Sequence, residues 1–332
     1  MTSIKYLQPG QDTDSAIGRN VGSNLLDCIL MAKAKNTNII PSWNKMSFFN
    51  SSEFDIAPFL FDLSNVSNVS IIEQSESVFK KESPIFKNTK FVKWLKNCSQ
   101  SDFNNEKLSR LCLFGFPGYE NNTLLNEFRN ILNNNICKIK KEIIDEADEY
   151  IQTNLQKKYI SIHFRSTGAL NVLKMFDNDI YNKLIRELIN VLKKITTKDI
   201  DSFYLASCSW EAVNNIRNII KEEFNLPVYS LSIDRTSNIK GDNIIDNIYL
   251  KEQTISYYLN TMKELIILSK GSYFIRTFGK YSLTAAIMSN LYCDKIYTLT
   301  DNIIENLFSK MYENVDDIKV HINKSILSQH PY

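Results

Sequence analysis

An imidazole and a guanidinium two positions apart, His163 and Arg165, mark the stretch of this chain best suited to chemistry. They lie within Tyr159 to Gly168, which reads Tyr-Ile-Ser-Ile-His-Phe-Arg-Ser-Thr-Gly. Ile160, Ile162 and Phe164 alternate with Ser161, His163 and Arg165, the two-residue period of a strand with one apolar face. Ser166-Thr167-Gly168 then supplies the small residues of a tight turn at the strand's carboxyl end. In an open α/β sheet that end is where ligands bind. Arginine is always charged and presents a planar fork of donors matched to phosphate oxygens. The stretch therefore reads in one of two ways: an anion site for a phosphorylated ligand, or a strand-end arginine that is merely solvated or salt-bridged.

Other loops carry polar groups at comparable places. Ser207-Cys208-Ser209 and Thr277-Phe278-Gly279-Lys280-Tyr281-Ser282 each follow a predicted strand and precede a predicted helix, where free amides and hydroxyls suit phosphate oxygens. Ser232, Asp234 and Arg235 lie in a further loop, where a carboxylate suits a nucleobase edge. Near the start, Gly22-Ser23-Asn24 opens a predicted helix, either as an anion-facing turn or as an ordinary cap. Serine before a helix is a common cap, so each loop alone is weak, and the joint placement at successive strand ends carries the ligand reading. No Gly-x-Gly-x-x-Gly, no phosphate-binding Gly-Lys-Ser/Thr loop and no Gly-x-Ser-x-Gly elbow is present.

The elements that must position these loops follow from periodicity. Ile4 to Leu7 reads as a strand, Leu25 to Ala34 as a helix and Ile39 to Pro41 as a second strand, together one βαβ unit. Trp43 to Asn68 is aromatic and irregular; Val69 to Ile72 reads as a strand, and Lys90 to Asn97 and Thr123 to Leu132 as helices. Cys137 to Gln156 reads as one long helix, ending at Lys157-Lys158, where the spacing predicts a domain boundary. Beyond it come strands at Phe203 to Ala206, Pro227 to Leu231, Tyr273 to Arg276 and Lys295 to Leu299. Between them lie helices over Asp179 to Ile195, Trp210 to Phe224, Gln253 to Leu268 and Tyr281 to Leu291, with Asp301 to Met311 as a last one. Such alternation predicts an α/β domain with a parallel sheet between helices.

At 332 residues the chain has room for two core-forming domains. Hydrophobic content of 43%, charged content of 23% and a net charge of +2 describe an ordinary globular protein without the basic footprint of a nucleic-acid binder. Six cysteines without Cys-x-x-Cys spacing, and only three histidines, make no zinc pattern. Cys112 sits in an apolar run, as a free thiol in a reducing compartment would. The first residues lack a signal-peptide core, and no run of eighteen apolar residues is long enough to span a bilayer. A cytoplasmic protein is expected.

The order of the motifs resembles the fucosyltransferases of the α1,6/nodulation and protein-O-fucosyl group, with a looser likeness to the α1,2 enzymes. Their His-x-Arg-Arg-(Thr/Gly)-Asp strand is similar to His163-Phe164-Arg165-Ser166-Thr167-Gly168, and their Thr-Phe-Ser-Ser loop to Thr277-Phe278-Gly279-Lys280. Phe203 to Ser207, Lys263 to Arg276, and Gly22 to Leu26 with Ile39 to Pro41 complete the likeness, while residues 75 to 150 match little. The resemblance implies a GT-B-like fold, two Rossmann-like domains facing a central cleft, with residues 1–157 on the acceptor side and 158–332 binding the nucleotide sugar. It implies an inverting, metal-independent glycosyltransferase that takes GDP-fucose as donor substrate, without a further cofactor, and a glycan or glycoconjugate as acceptor. By that resemblance Arg165 contacts the donor β-phosphate and His163 the phosphate or ribose. Gly22, Asn24, Ser207, Asp234, Thr277, Phe278, Tyr281 and Ser282 would bind the donor, Asp234 as guanine partner. Asp12 and Asp14 are the carboxylates considered for the base, with surface solvation as the alternative. Ser166 and Gly168 replace the second Arg and the acid of the resembled motif. That departure leaves open a different nucleotide sugar, or a catalytically silent nucleotide-sugar-binding scaffold.

Overall fold

Five strands rich in Ile, Phe and Tyr alternate with amphipathic helices in the second half of the chain, and in the computed structural model they form one parallel sheet. The structure describes residues 3–6, 38–41, 57–62, 138–165, 178–197, 199–233, 251–277 and 280–299. The chain divides into two units, Met1–Lys141 with Met311–Tyr332, and Glu142–Lys310.

In the first unit, β1 (Ser3–Tyr6) and β2 (Asn38–Pro41) pair in parallel, Ile4 opposite Ile39. Parallel neighbours need a crossover between them; the helix expected after Leu25 lies outside the described residues. A short helix α1 (Ala57–Leu60) leads into β3 (Phe61–Asp62), which pairs antiparallel with β4 (Lys138–Ile139). The Lys140 N–H donates to the Leu60 carbonyl at 3.0 Å and closes this small ladder. The long helix expected from Cys137 therefore starts later, as α2 (Lys141–Tyr150), because Lys138 and Ile139 are taken up by strand pairing. It continues as a wider π-helical turn over Ile151–Leu155.

The second unit runs β5 (Tyr159–His163), α3 (Asn178–Ile195), β6 (Ser202–Ala206), α4 (Trp210–Phe224), β7 (Val228–Tyr229), α5 (Lys251–Ser269), β8 (Tyr273–Thr277), α6 (Lys280–Met288) and β9 (Ile296–Leu299). The strand order is β7-β6-β5-β8-β9, all parallel. β7 is shorter than expected because the Ser230 hydroxyl donates to the Leu205 carbonyl at 2.7 Å, so a side chain takes the place of the next rung. Within this unit α2 is joined to α5 by the ion pairs Lys263–Glu146 and Lys270–Asp148.

Helices cover both faces of the sheet. On one, Ile160, Ile162, Phe164, Phe203, Leu205 and Ile275 pack against α3 and α4. Tyr181, Leu184, Ile185, Leu188, Leu192 and Ile195 fall at helical spacing and give α3 a single apolar stripe. Each such side chain contributes about 1.5–3 kcal/mol when fully buried. The other face lies under α5 and α6, where the Tyr159 hydroxyl donates to the Ile267 carbonyl at 2.7 Å. Every residue of β5 is buried. Its alternation of apolar and polar residues thus separates two buried layers, one of them polar, and does not separate core from solvent.

Two backbone details yield stability predictions. Gly271 packs so closely on β5 that a Cβ would overlap the Ser161 hydroxyl and stand 3.0 Å from the Ser161 nitrogen. Gly271→Ala should lower the free energy of unfolding by about 1–3 kcal/mol in urea titration; an unchanged midpoint would contradict this packing. Gln156, exposed between α2 and β5, holds φ 60° and ψ −152°, a region that strains every residue but glycine. Gln156→Gly should raise the urea midpoint, by an amount corresponding to about 1 kcal/mol after the entropy that glycine adds to the unfolded chain.

Candidate functional site

The chain lays β6 and β7 to one side of β5, then returns through α5 to place β8 and β9 on the other. Right-handed crossovers consequently put α3 and α4 on one face and α5 and α6 on the opposite one. The carboxyl ends of β5 and β8 meet at this reversal, the place where open α/β sheets bind ligands.

His163 ends β5 in register with Ala206 on one side and Arg276 on the other. The next two residues are shared between the neighbours. The Phe164 N–H donates to the Ala206 carbonyl at 2.8 Å, while the Arg165 N–H donates to Thr277 Oγ1 at 2.8 Å. Thr277 Oγ1 in turn donates to the His163 carbonyl at 3.4 Å. Phe164 is wholly buried and meets the Tyr181 ring edge-on at 5.5 Å, which anchors the segment from the apolar side. Arg165 itself is half-buried at the sheet edge.

The end of β8 is braced from below. Ser282 Oγ donates to the Thr277 carbonyl at 2.9 Å and accepts from Arg276 Nε at 3.2 Å, both residues being fully buried. The Tyr281 ring lies 5.2 Å from the His163 ring, tilted by 39°. Its hydroxyl is 3.1 Å from both the Thr261 carbonyl and Glu264 Oε2 on α5, so a single proton is shared between two acceptors. Glu264, also buried, accepts from the Tyr204 hydroxyl of β6 at 3.4 Å. Tyr150 meets Tyr204 edge-on, and burial, reinforced by the Glu264 charge, pushes the Tyr150 hydroxyl up to about 12. Burial likewise raises Tyr159, so these phenols are neutral at physiological pH.

The structure brings five of the sequence-predicted residues, His163, Arg165, Thr277, Tyr281 and Ser282, to the adjoining ends of β5 and β8. Ser207 follows β6 and is buried, next to Ser209, whose hydroxyl caps α4 by accepting from the Ala212 N–H at 3.4 Å. Gly22, Asn24, Asp234, Phe278, Asp12 and Asp14 lie outside the described residues. Arg276 and Glu264 were not anticipated. Their signal was a charge beside an apolar run, Arg276 in Tyr-Phe-Ile-Arg-Thr and Glu264, after Lys263, directly before Leu-Ile-Ile-Leu.

Chemically, the half-buried Arg165 brings a guanidinium suited to an anionic ligand to this edge, while the buried Thr277 hydroxyl is spent on holding its backbone. Among the described residues, no three His, Cys, Asp or Glu side chains gather into a group that could hold a metal ion. Among them, too, no helix is long and apolar enough to cross a membrane.

No family model and no curated protein sequence matches this chain. Solved structures do. The selenomethionine form of the fucosyltransferase NodZ from Bradyrhizobium aligns with 86% of this chain and 92% of its own, at TM-score 0.50 and 12% identity. Another structure of that fucosyltransferase aligns with 86% and 91%, at TM-score 0.49 and 12% identity. POFUT1 in complex with GDP aligns with 90% and 98%, at TM-score 0.48 and 12% identity. At 12% identity the likeness is one of fold: this chain shares the α/β, GT-B-like fold of a fucosyltransferase, the fold that its motifs resemble.

Proposed function

We propose that this chain is a glycosyltransferase that transfers fucose from GDP-fucose to a glycan or glycoconjugate, with inversion and without an obligatory metal. The observation that carries the reading is the bond from the Arg165 N–H to Thr277 Oγ1, which fixes an arginine at the switch point of a sheet with a fucosyltransferase fold. In this reading an acceptor hydroxyl oxygen attacks the anomeric carbon from the face opposite the nucleotide. The bond from that carbon to the β-phosphate oxygen breaks, its electron pair leaves with GDP, and the acceptor proton passes to a carboxylate, with Asp12 and Asp14 as candidates. Charge builds on the diphosphate as the bond breaks, so a fixed guanidinium is worth more in the transition state than before it. Arg165 takes that role, and His163 binds phosphate or ribose beside it. Thr277, Tyr281 and the amides around Phe278 line the diphosphate side, and Ser282 contributes through Thr277, which it braces. Asp234 takes the guanine edge, Ser207, Gly22 and Asn24 complete the donor site, and the first half of the chain receives the acceptor.

The test is release of GDP from GDP-fucose by the full chain, with a panel of glycan acceptors. Arg165→Ala should lower kcat by about 10²–10³-fold with an unchanged melting temperature; near-normal turnover in that variant would contradict the mechanism. A chelator should leave the rate unchanged, and loss of activity restored by magnesium would overturn the metal-free reading. Calorimetric binding of GDP without any turnover would favour a nucleotide-sugar-binding protein instead, the reading to which Ser166 and Gly168 point. Preference for UDP over GDP would reassign the donor.

A further inference from the structure

Arg276 has no exposed surface at all, although it stands one residue from the end of β8, at the edge where the site lies. Burying a guanidinium carries a large desolvation cost, and an apolar side chain of similar volume would fill the same space without it. Its register with His163 on the neighbouring strand sends both side chains to the same face of the sheet, the polar layer under α5 and α6. From there three hydrogen bonds run in sequence. Arg276 Nε donates to Ser282 Oγ at 3.2 Å, Ser282 Oγ donates to the Thr277 carbonyl at 2.9 Å, and Thr277 Oγ1 accepts from the Arg165 N–H at 2.8 Å. The guanidinium is planar and keeps its proton throughout the working pH range, so this anchor holds one geometry.

We infer that Arg276 is a positioning residue of the donor site: through Ser282 it holds Thr277, and through Thr277 the backbone from which Arg165 reaches the diphosphate. The inference rests on the donor reading given above. A site that stabilises a departing anion works best when its donors are already in place, and a buried, fully ionised brace secures that before the ligand arrives. Arg276 therefore acts on the β-phosphate contact without touching the nucleotide. Lysine at this position keeps the charge but loses the flat Nε–H that meets Ser282, and alanine at position 282 keeps the guanidinium but cuts the link.

The experiment compares full-length wild type with Arg276→Lys and Ser282→Ala, by calorimetry with GDP and with GMP and by hydrogen exchange of the Arg165 amide. Both variants should bind GMP within about twofold of wild type and lose GDP affinity by about tenfold, the worth of one charge-assisted bond to the β-phosphate. The Arg165 amide should exchange faster in both. If Arg276→Lys does not fold, Ser282→Ala alone decides. An unchanged ratio of GDP to GMP affinity in a folded variant, or equal losses for both nucleotides, overturns the positioning role and leaves the donor reading standing. Failure of wild type to bind GDP overturns the donor reading and this inference together.

Discussion

A single hydrogen bond joins two parts of the chain 112 residues apart, from the Arg165 N–H to the Thr277 hydroxyl oxygen at 2.8 Å. It exists only because the strand order reverses at β5, which makes β8 a neighbour of β5 although two strands and three helices of the described residues intervene in sequence. The reversal follows from chain geometry: right-handed crossovers in one direction cover one face, so covering the second face requires the chain to turn back. A parallel sheet must be covered on both faces to be stable. The requirement that builds the core therefore also brings the ends of β5 and β8 together.

The two faces divide the labour between stability and chemistry. Under α3 and α4 the contacts are those of Ile160, Ile162, Phe164 and Phe203 with a mainly aliphatic layer, which supplies burial. Under α5 and α6 the same strands carry Ser161, His163, Tyr204 and Arg276, and helices supply Glu264, Tyr281 and Ser282. A buried polar layer of this kind rigidifies when its members are hydrogen-bonded. Its bonds converge on Thr277, and the Tyr281 ring packs against the His163 ring, the two features that flank Arg165. Packing, rigidity and the placement of Arg165 are consecutive consequences of one arrangement.

Much of this was legible in the chain itself. The alternation across Tyr159 to Arg165, the leucine spacing of α3 and the serine ahead of α4 are local signals, and local structure follows them. What escaped depends on partners distant in sequence. β3 and β4 are two residues each and have no period of their own, so only their pairing with each other defines them. β7 ends early because of a serine hydroxyl that reaches a neighbouring strand. Tyr281 reads as a donor-binding residue at the start of a helix, and the sequence alone does not show that its hydroxyl is committed to α5 while its ring faces His163. Arg276 and Glu264 read as stray charges until the sheet register and the helix above it give each a neighbour.

The central claim is that the joined ends of β5 and β8 hold the diphosphate of a nucleotide sugar. A crystal structure of the full chain grown with GDP tests it most directly. The account predicts the β-phosphate at that edge, within hydrogen-bond distance of the Arg165 guanidinium, beside Thr277 and His163. A nucleotide seated elsewhere, or an Arg165 side chain turned away from its phosphates, would contradict it.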